Sequence, residues 1–188
     1  MRLFYALFPP RAVQQSLAQI QEKLRPYRGW RPVQPHQMHI TLLFLGEQPE
    51  ARLPELRQTG REVAARVPAF EVTLGGTGYF PAAGSPRVWF VKASGVGLEP
   101  LASGLQQALG IGEGKFRPHL TLARKKGPAP RVGPVVVNLR FTARAVCLVE
   151  SKLEPAGARY RVLEAFPLNG SGYGQGEAEG FRGHPEDH

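Results

Sequence analysis

Apolar and polar positions alternate between two periods along this chain. Residues 3–8, Leu-Phe-Tyr-Ala-Leu-Phe, form a continuous apolar run that predicts a buried strand over 2–8. Behind Pro9-Pro10, residues Val13, Leu17, Ile20 and Leu24 recur at helical spacing and predict a helix over 11–24, stopped by Pro26. A dense run at 39–45, closed by Gly46, predicts a second strand. Leu53, Leu56, Val63 and Val67 predict a helix over 51–67, and Leu98, Leu101, Leu105 and Leu109 one over 98–109. Further strands are predicted at 70–74, 87–92, 116–124, 135–138, 143–153 and 160–167, with the Gly/Pro-rich stretch 75–86 as a loop. Short strands with three helices indicate an α+β fold with largely antiparallel sheet.

The pattern contains one internal echo. A predicted helix leads into His39-Ile40-Thr41-Leu42, and another leads into His119-Leu120-Thr121-Leu122. With the five histidines of this chain, a chance His-x-Thr is expected only about 0.16 times. One such pair in a strand is ordinarily a satisfied polar pair on a sheet face, but a core has no need of the same pair twice. The repeat implies a two-lobed molecule with a pseudo-twofold axis. Residues i and i+2 of a strand share a face, so each motif presents one imidazole and one hydroxyl to a common cleft. Two opposed imidazoles suit phosphodiester chemistry: one accepts a proton from the nucleophile, the other donates to the leaving oxygen, and no metal or cofactor is needed.

Composition narrows this picture. The 188 residues are 42% hydrophobic, enough for a core in one domain or two closely packed lobes. The first apolar run is too short for a signal segment or a membrane span. The single cysteine, Cys147, excludes an intrachain disulfide and a multi-cysteine metal site. The expectation is a cytoplasmic monomer. The net charge is +9, with Arg (18) far ahead of Lys (6). Residues 169–188 carry four acids and one Arg and are Gly-rich without apolar period, so they read as a disordered acidic tail. The body, 1–168, is then near +12, a balance that favours polyanionic partners, nucleic acid foremost.

The segments His39-Ile40-Thr41-Leu42-Leu43-Phe44-Leu45-Gly46 and Arg117-Pro118-His119-Leu120-Thr121-Leu122-Ala123-Arg124 resemble the paired motifs of the 2H phosphoesterases, and most closely those of the RNA 2′,3′-cyclic phosphodiesterases, also called 2′-5′ RNA ligases. Residues 2–7, Leu148-Val149-Glu150-Ser151-Lys152-Leu153, and the stretch from Gly157 to Tyr160 are similar to that family as well. The resemblance covers residues 1–168. It implies a bilobal fold, two largely antiparallel sheets facing a central cleft with helices outside. It implies hydrolysis of RNA 2′,3′-cyclic phosphate ends to 2′-phosphomonoesters and, in some members, reversible ATP-independent 2′-5′ joining of tRNA halves. His39 takes the place of the proton donor and His119 that of the proton acceptor. Thr41 and Thr121 take the place of phosphate ligands, as does Arg124 near the phosphate. The spacing alone leaves the two histidine roles interchangeable.

Other readings stay open on the residues themselves. The same site would serve small cyclic nucleotides, ADP-ribose cyclic phosphate or 2′-5′ oligoadenylates, and a noncatalytic RNA- or nucleotide-binding module would share its cleft. Phe44 and Tyr5 are candidates for base stacking, although Phe44 has the strand parity of Ile40 and Leu42 and so reads as core. Trp30 and Arg31 are candidates for the cleft rim. His36 and His39 have the spacing of a metal pair without a third ligand. Gly110 to Lys115 looks like a phosphate loop but fails the Walker spacing and reads as a helix exit. Lys125-Lys126 could meet an RNA backbone, and His184 and His188 belong to the tail.

Overall fold

A computed structural model describes residues 1–112 and 114–173 of the chain. The strands are β1 (Arg2–Leu7), β2 (Trp30–Pro32), β3 (Ile40–Glu47), β4 (Phe70–Phe80), β5 (Val88–Ser94), β6 (His119–Lys125), β7 (Leu139–Ala143), β8 (Ala145–Glu154) and β9 (Gly157–Pro167). The helices are α1 (Arg11–Gln21), α2 (Leu53–Arg66) and α3 (Leu98–Leu109). Together they form the expected α+β fold. All strand pairings are antiparallel, in the order β7-β4-β5-β6-β3-β1-β8-β9, with the short β2 added to β6. The two sheets expected from the sequence are therefore two four-stranded halves of one curled sheet. They meet at a single register pair, Ile40 opposite Leu120.

Strand β1, in the half β3-β1-β8-β9, is apolar on both faces, which is why residues 3–8 show no alternation. Leu3, Tyr5 and Leu7 enter the main core with Leu17, Leu56, Leu101 and Leu105 from the helices. Phe4 and Ala6 join a second cluster on the opposite face with Cys147, Val149 and Val162. The helices thus cover one face and leave the other to the cleft. α1 packs on β6 and β7, and α3 on β3, so each also braces the seam between the halves.

Three expectations are corrected. The loop expected over 75–86 is confined to 81–87: β4 runs on to Phe80, and Gly75-Gly76 take up a shift in pairing between Leu74 and Thr77. Gly76 has φ +77°, a conformation that favours glycine there. Residues 135–138 are not a strand. Pro134 precedes them, and the Val135 N–H is satisfied by the Thr77 hydroxyl rather than by a ladder partner. The strand lies just beyond, at β7. The chain also stays tied to the body past 168: Asn169 donates to the Val67 carbonyl and Ser171 to that of Leu168. The rest of the predicted tail, with His184 and His188, lies outside the described residues.

Candidate active site

The segment before β3 is held by buried amides of α1. Gln21 donates to the carbonyls of Val33 and Leu122, both at 2.8 Å, and Gln14 to that of Met38 at 3.2 Å. Gln37 donates to the Ala158 carbonyl on β9 at 2.7 Å. These amides leave the backbone little freedom just where His39 is mounted. On the second strand, the Pro118 carbonyl accepts from the Ala93 N–H and pins the residue before His119.

The two motifs match each other in detail. His39 Nδ1 lies 2.6 Å from the carbonyl two residues before it, that of Gln37, and His119 Nδ1 lies 2.6 Å from that of Arg117. A carbonyl oxygen only accepts, so Nδ1 carries the hydrogen in both rings. Each Nε2 is then the atom that can accept or, once protonated, donate. His39 Nε2 accepts from the Thr41 hydroxyl at 3.0 Å. Antiparallel pairing about Ile40 and Leu120 places His39 across from Thr121, and Thr41 across from His119.

A matched pair of β-bulges completes the arrangement. Leu42 has no partner on β1, and Leu122 none on β5, because pairing jumps by one residue at each. A bulge reverses the alternation downstream of it. Arg124, five residues after His119, thereby returns to the face of His119 and Thr121 and lines the cleft. The same kind of bulge corrects the reading of Phe44. It is not core but 70% exposed, its ring 6.0 Å from that of Phe4 on the cleft face. Tyr5, a candidate for stacking, is fully buried and donates to the Leu56 carbonyl at 2.6 Å. Trp30 is also core, donating to the Pro130 carbonyl, whereas its neighbour Arg31 does line the cleft.

The cleft has a volume of about 790 Å³. His39, Thr121 and Arg124 lie at its base, β2 and residues 33–37 form one wall, and the β8–β9 hairpin from Glu154 to Tyr160 forms the other. Aromatic rings surround both imidazoles. Phe4, Phe8 and Tyr160 stand 5.0–5.6 Å from His39, and Phe80 and Phe90 stand 4.9 and 5.4 Å from His119. Burial there pushes the His39 imidazole down to about 4. The Gln37 carbonyl opposes this, while the charges of Arg124 and His119 add to it. His119 is lowered as well, by burial first and by Arg124. Arg124 also lowers Tyr160, whose phenol is raised on balance by burial. One guanidinium thus acts on three ring groups of the site. The motifs give no sign of this aromatic shell. Its only signal in the sequence is the apolar residue at every position of β1 after Arg2, on both faces.

Residues 7–90 match the family model described as LigT like Phosphoesterase. The chain is 47% identical to an RNA 2′,3′-cyclic phosphodiesterase of Thermus thermophilus, an alignment covering 99% of both. The chain belongs to the LigT-like phosphoesterase family. A relative from Archaeoglobus fulgidus with the same name is 33% identical over 88% of this chain and 99% of its own. Among solved structures, a Thermus thermophilus protein superposes with TM-score 0.86 at 49% identity, over 90% of this chain and 99% of that one. Escherichia coli LigT complexed with 3′-AMP superposes with TM-score 0.76 at 26% identity, over 89% and 98%. Among the described residues, no helix is long and apolar enough to cross a membrane.

Proposed function

We propose that this LigT-like phosphoesterase hydrolyses 2′,3′-cyclic phosphate ends of RNA to 2′-phosphomonoesters, with His39 as general acid and His119 as general base. The observation that carries this reading is the pair of imidazoles, each with Nδ1–H tied to a carbonyl and Nε2 left for proton transfer, mounted on adjoining strands within reach of the Arg124 charge. The names of its curated relatives point the same way.

The steps follow from the geometry. The cyclic phosphate enters with its charge toward Arg124, and the Thr41 and Thr121 hydroxyls donate to its non-bridging oxygens. His119 Nε2 takes a proton from water as the water oxygen bonds to phosphorus. The P–O3′ bond breaks, and protonated His39 Nε2 delivers its proton to O3′. The phosphate remains on O2′. In the empty cleft His39 is neutral at pH 7, because burial and Arg124 hold it near 4. The bound phosphodiester anion offsets the Arg124 charge and favours the imidazolium that the acid role needs. Arg124 then stabilises charge growing on the phosphoryl oxygens.

A 5′-hydroxyl in place of water would give 2′-5′ joining through the same two proton transfers. One chain supplies both histidines, so the site is complete in a monomer, and cytoplasmic RNA ends are its natural substrate. The test is incubation with an oligoribonucleotide bearing a 2′,3′-cyclic phosphate, followed by product identification with ³¹P NMR. The expected product is the 2′-phosphate. A 3′-phosphate or an unchanged ring overturns the reading.

A further inference from the structure

Arg31 and Arg124 are direct cross-strand partners, Arg31 on β2 opposite Arg124 on β6. Directly paired residues share a sheet face, and like charges in that position repel. Both side chains line the cleft, and neither is in an ion pair among the described residues. Such a pair is relieved when an anion lies against it. Arg124 is already committed to the base of the cleft, where its charge reaches His39 and His119. Arg31 instead extends toward the opposite wall. Its Nη1 lies 3.9 Å from where a side chain on Gly157 would begin, at the start of β9. Arg159 lines the cleft two residues farther along that strand, its guanidinium 3.5 Å from the Glu154 carboxylate, which also lines the cleft. The cavity of about 790 Å³ lies well up the range of small-molecule sites and exceeds what one cyclic phosphate needs.

We propose that Arg31, with Arg159 across from it, forms a second anion subsite that binds the phosphate on O5′ of the terminal nucleotide. The inference rests on the proposed hydrolysis of cyclic RNA ends. A 2′,3′-cyclic phosphate closes the 3′ end of a chain, so the only neighbouring phosphate is the one on its 5′ side. Arg is suited to this task by its planar fork of donors. The Glu154 carboxylate disfavours an anion on its own account and is outweighed locally by Arg31, Arg124 and Arg159. The subsite makes an RNA chain, rather than a cyclic mononucleotide, the preferred substrate.

The test compares a cyclic mononucleotide, a dinucleotide with a cyclic end, and the same dinucleotide with a neutral methylphosphonate linkage. Wild-type kcat/KM should favour the charged dinucleotide over the neutral one by about 10-fold. In Arg31→Gln that ratio should fall toward one, and the salt slope of binding should lessen by about one. Retention of the ratio in Arg31→Gln, or its absence in the wild type, overturns the subsite. The same ratio, read as Kd for the 2′-phosphate-ended dinucleotides, requires no turnover. It judges the subsite even where the hydrolytic reading fails, and that failure shows separately as cyclic ends left intact in all three substrates.

Discussion

Ile40 and Leu120 pair with each other across the middle of the sheet, and each is the residue between the His and the Thr of its own motif. The pseudo-twofold axis therefore passes through this pair, and each histidine lies across from the threonine of the other motif. Thr41 and Thr121 are both half-buried on the cleft face. Thr→Val at either position should lower kcat/KM by about 10–100-fold, the loss of one hydrogen bond to a charged group. A double-mutant cycle of His39→Ala with Thr121→Val should be non-additive, because the two groups act on one phosphate. Full activity in Thr121→Val would remove it from the site.

Arg124 and Phe44 occupy equivalent places, five residues after His119 and His39, and bulges at Leu122 and Leu42 turn both to the face that carries the histidines. At these equivalent places one half of the site carries a guanidinium and the other a phenyl ring. Arg124→Gln should cost about 10²–10³ in kcat, as loss of a preorganised charge typically does. It should also raise the pH at which both histidines protonate, since the Arg124 charge lowers them. Titration of the two imidazoles by NMR measures this directly, and unchanged midpoints would contradict it.

The depressed histidines set the pH dependence. With the proposed roles, the productive form of the free protein has His39 protonated and His119 neutral. It is most populated between about 4, where His39 titrates, and the lowered value of His119. The profile of kcat/KM should thus peak on the acid side of 6.5, the ordinary imidazole value. A kcat/KM flat from pH 5 to 9 would contradict the assignment. Stability follows with the corresponding sign. The unfolded chain binds a proton at His39 near 6.5 and the folded chain only near 4. Stability is therefore unaffected by this group above 6.5, falls as pH drops from 6.5 toward 4, and then levels off. The His39 contribution is at most about 3 kcal/mol. The slope of Tm against pH in this window should be shallower for His39→Gln than for the wild type.

Tyr5 and Phe44 should separate stability from activity. Tyr5 is buried and bonded to the Leu56 carbonyl, so Tyr5→Phe should cost about 1–3 kcal/mol in denaturant unfolding. Phe44 is 70% exposed, and Phe44→Ala should change stability by less than about 0.5 kcal/mol. The reverse order would show that the face assignment of these two residues is inverted.

Much of this is legible in the chain itself. The helices α1, α2 and α3 follow from apolar period, and the repeated His-x-Thr-Leu locates both strands of the site. What escapes has a common physical cause, a break in regular alternation. The bulges at Leu42 and Leu122 reverse parity without any Gly or Pro to mark them, so the pattern alone puts Phe44 in the core. Gly75-Gly76 carry the usual mark of a loop yet serve as an irregularity inside β4. The aromatic shell around His39 assembles from β1 and β9, far apart in sequence. No local pattern connects Phe4 with Tyr160, whose rings stand 5.2 Å apart.

The central claim is that two imidazoles perform both proton transfers. It is tested most directly by hydrolysis of a cyclic-ended oligoribonucleotide in excess EDTA, by the wild type and by His39→Ala and His119→Ala. The account predicts full wild-type turnover under chelation and a loss of about 10²–10⁴-fold in each variant. Turnover abolished by EDTA and restored by a divalent metal, or near-full rate in either histidine variant, would contradict it.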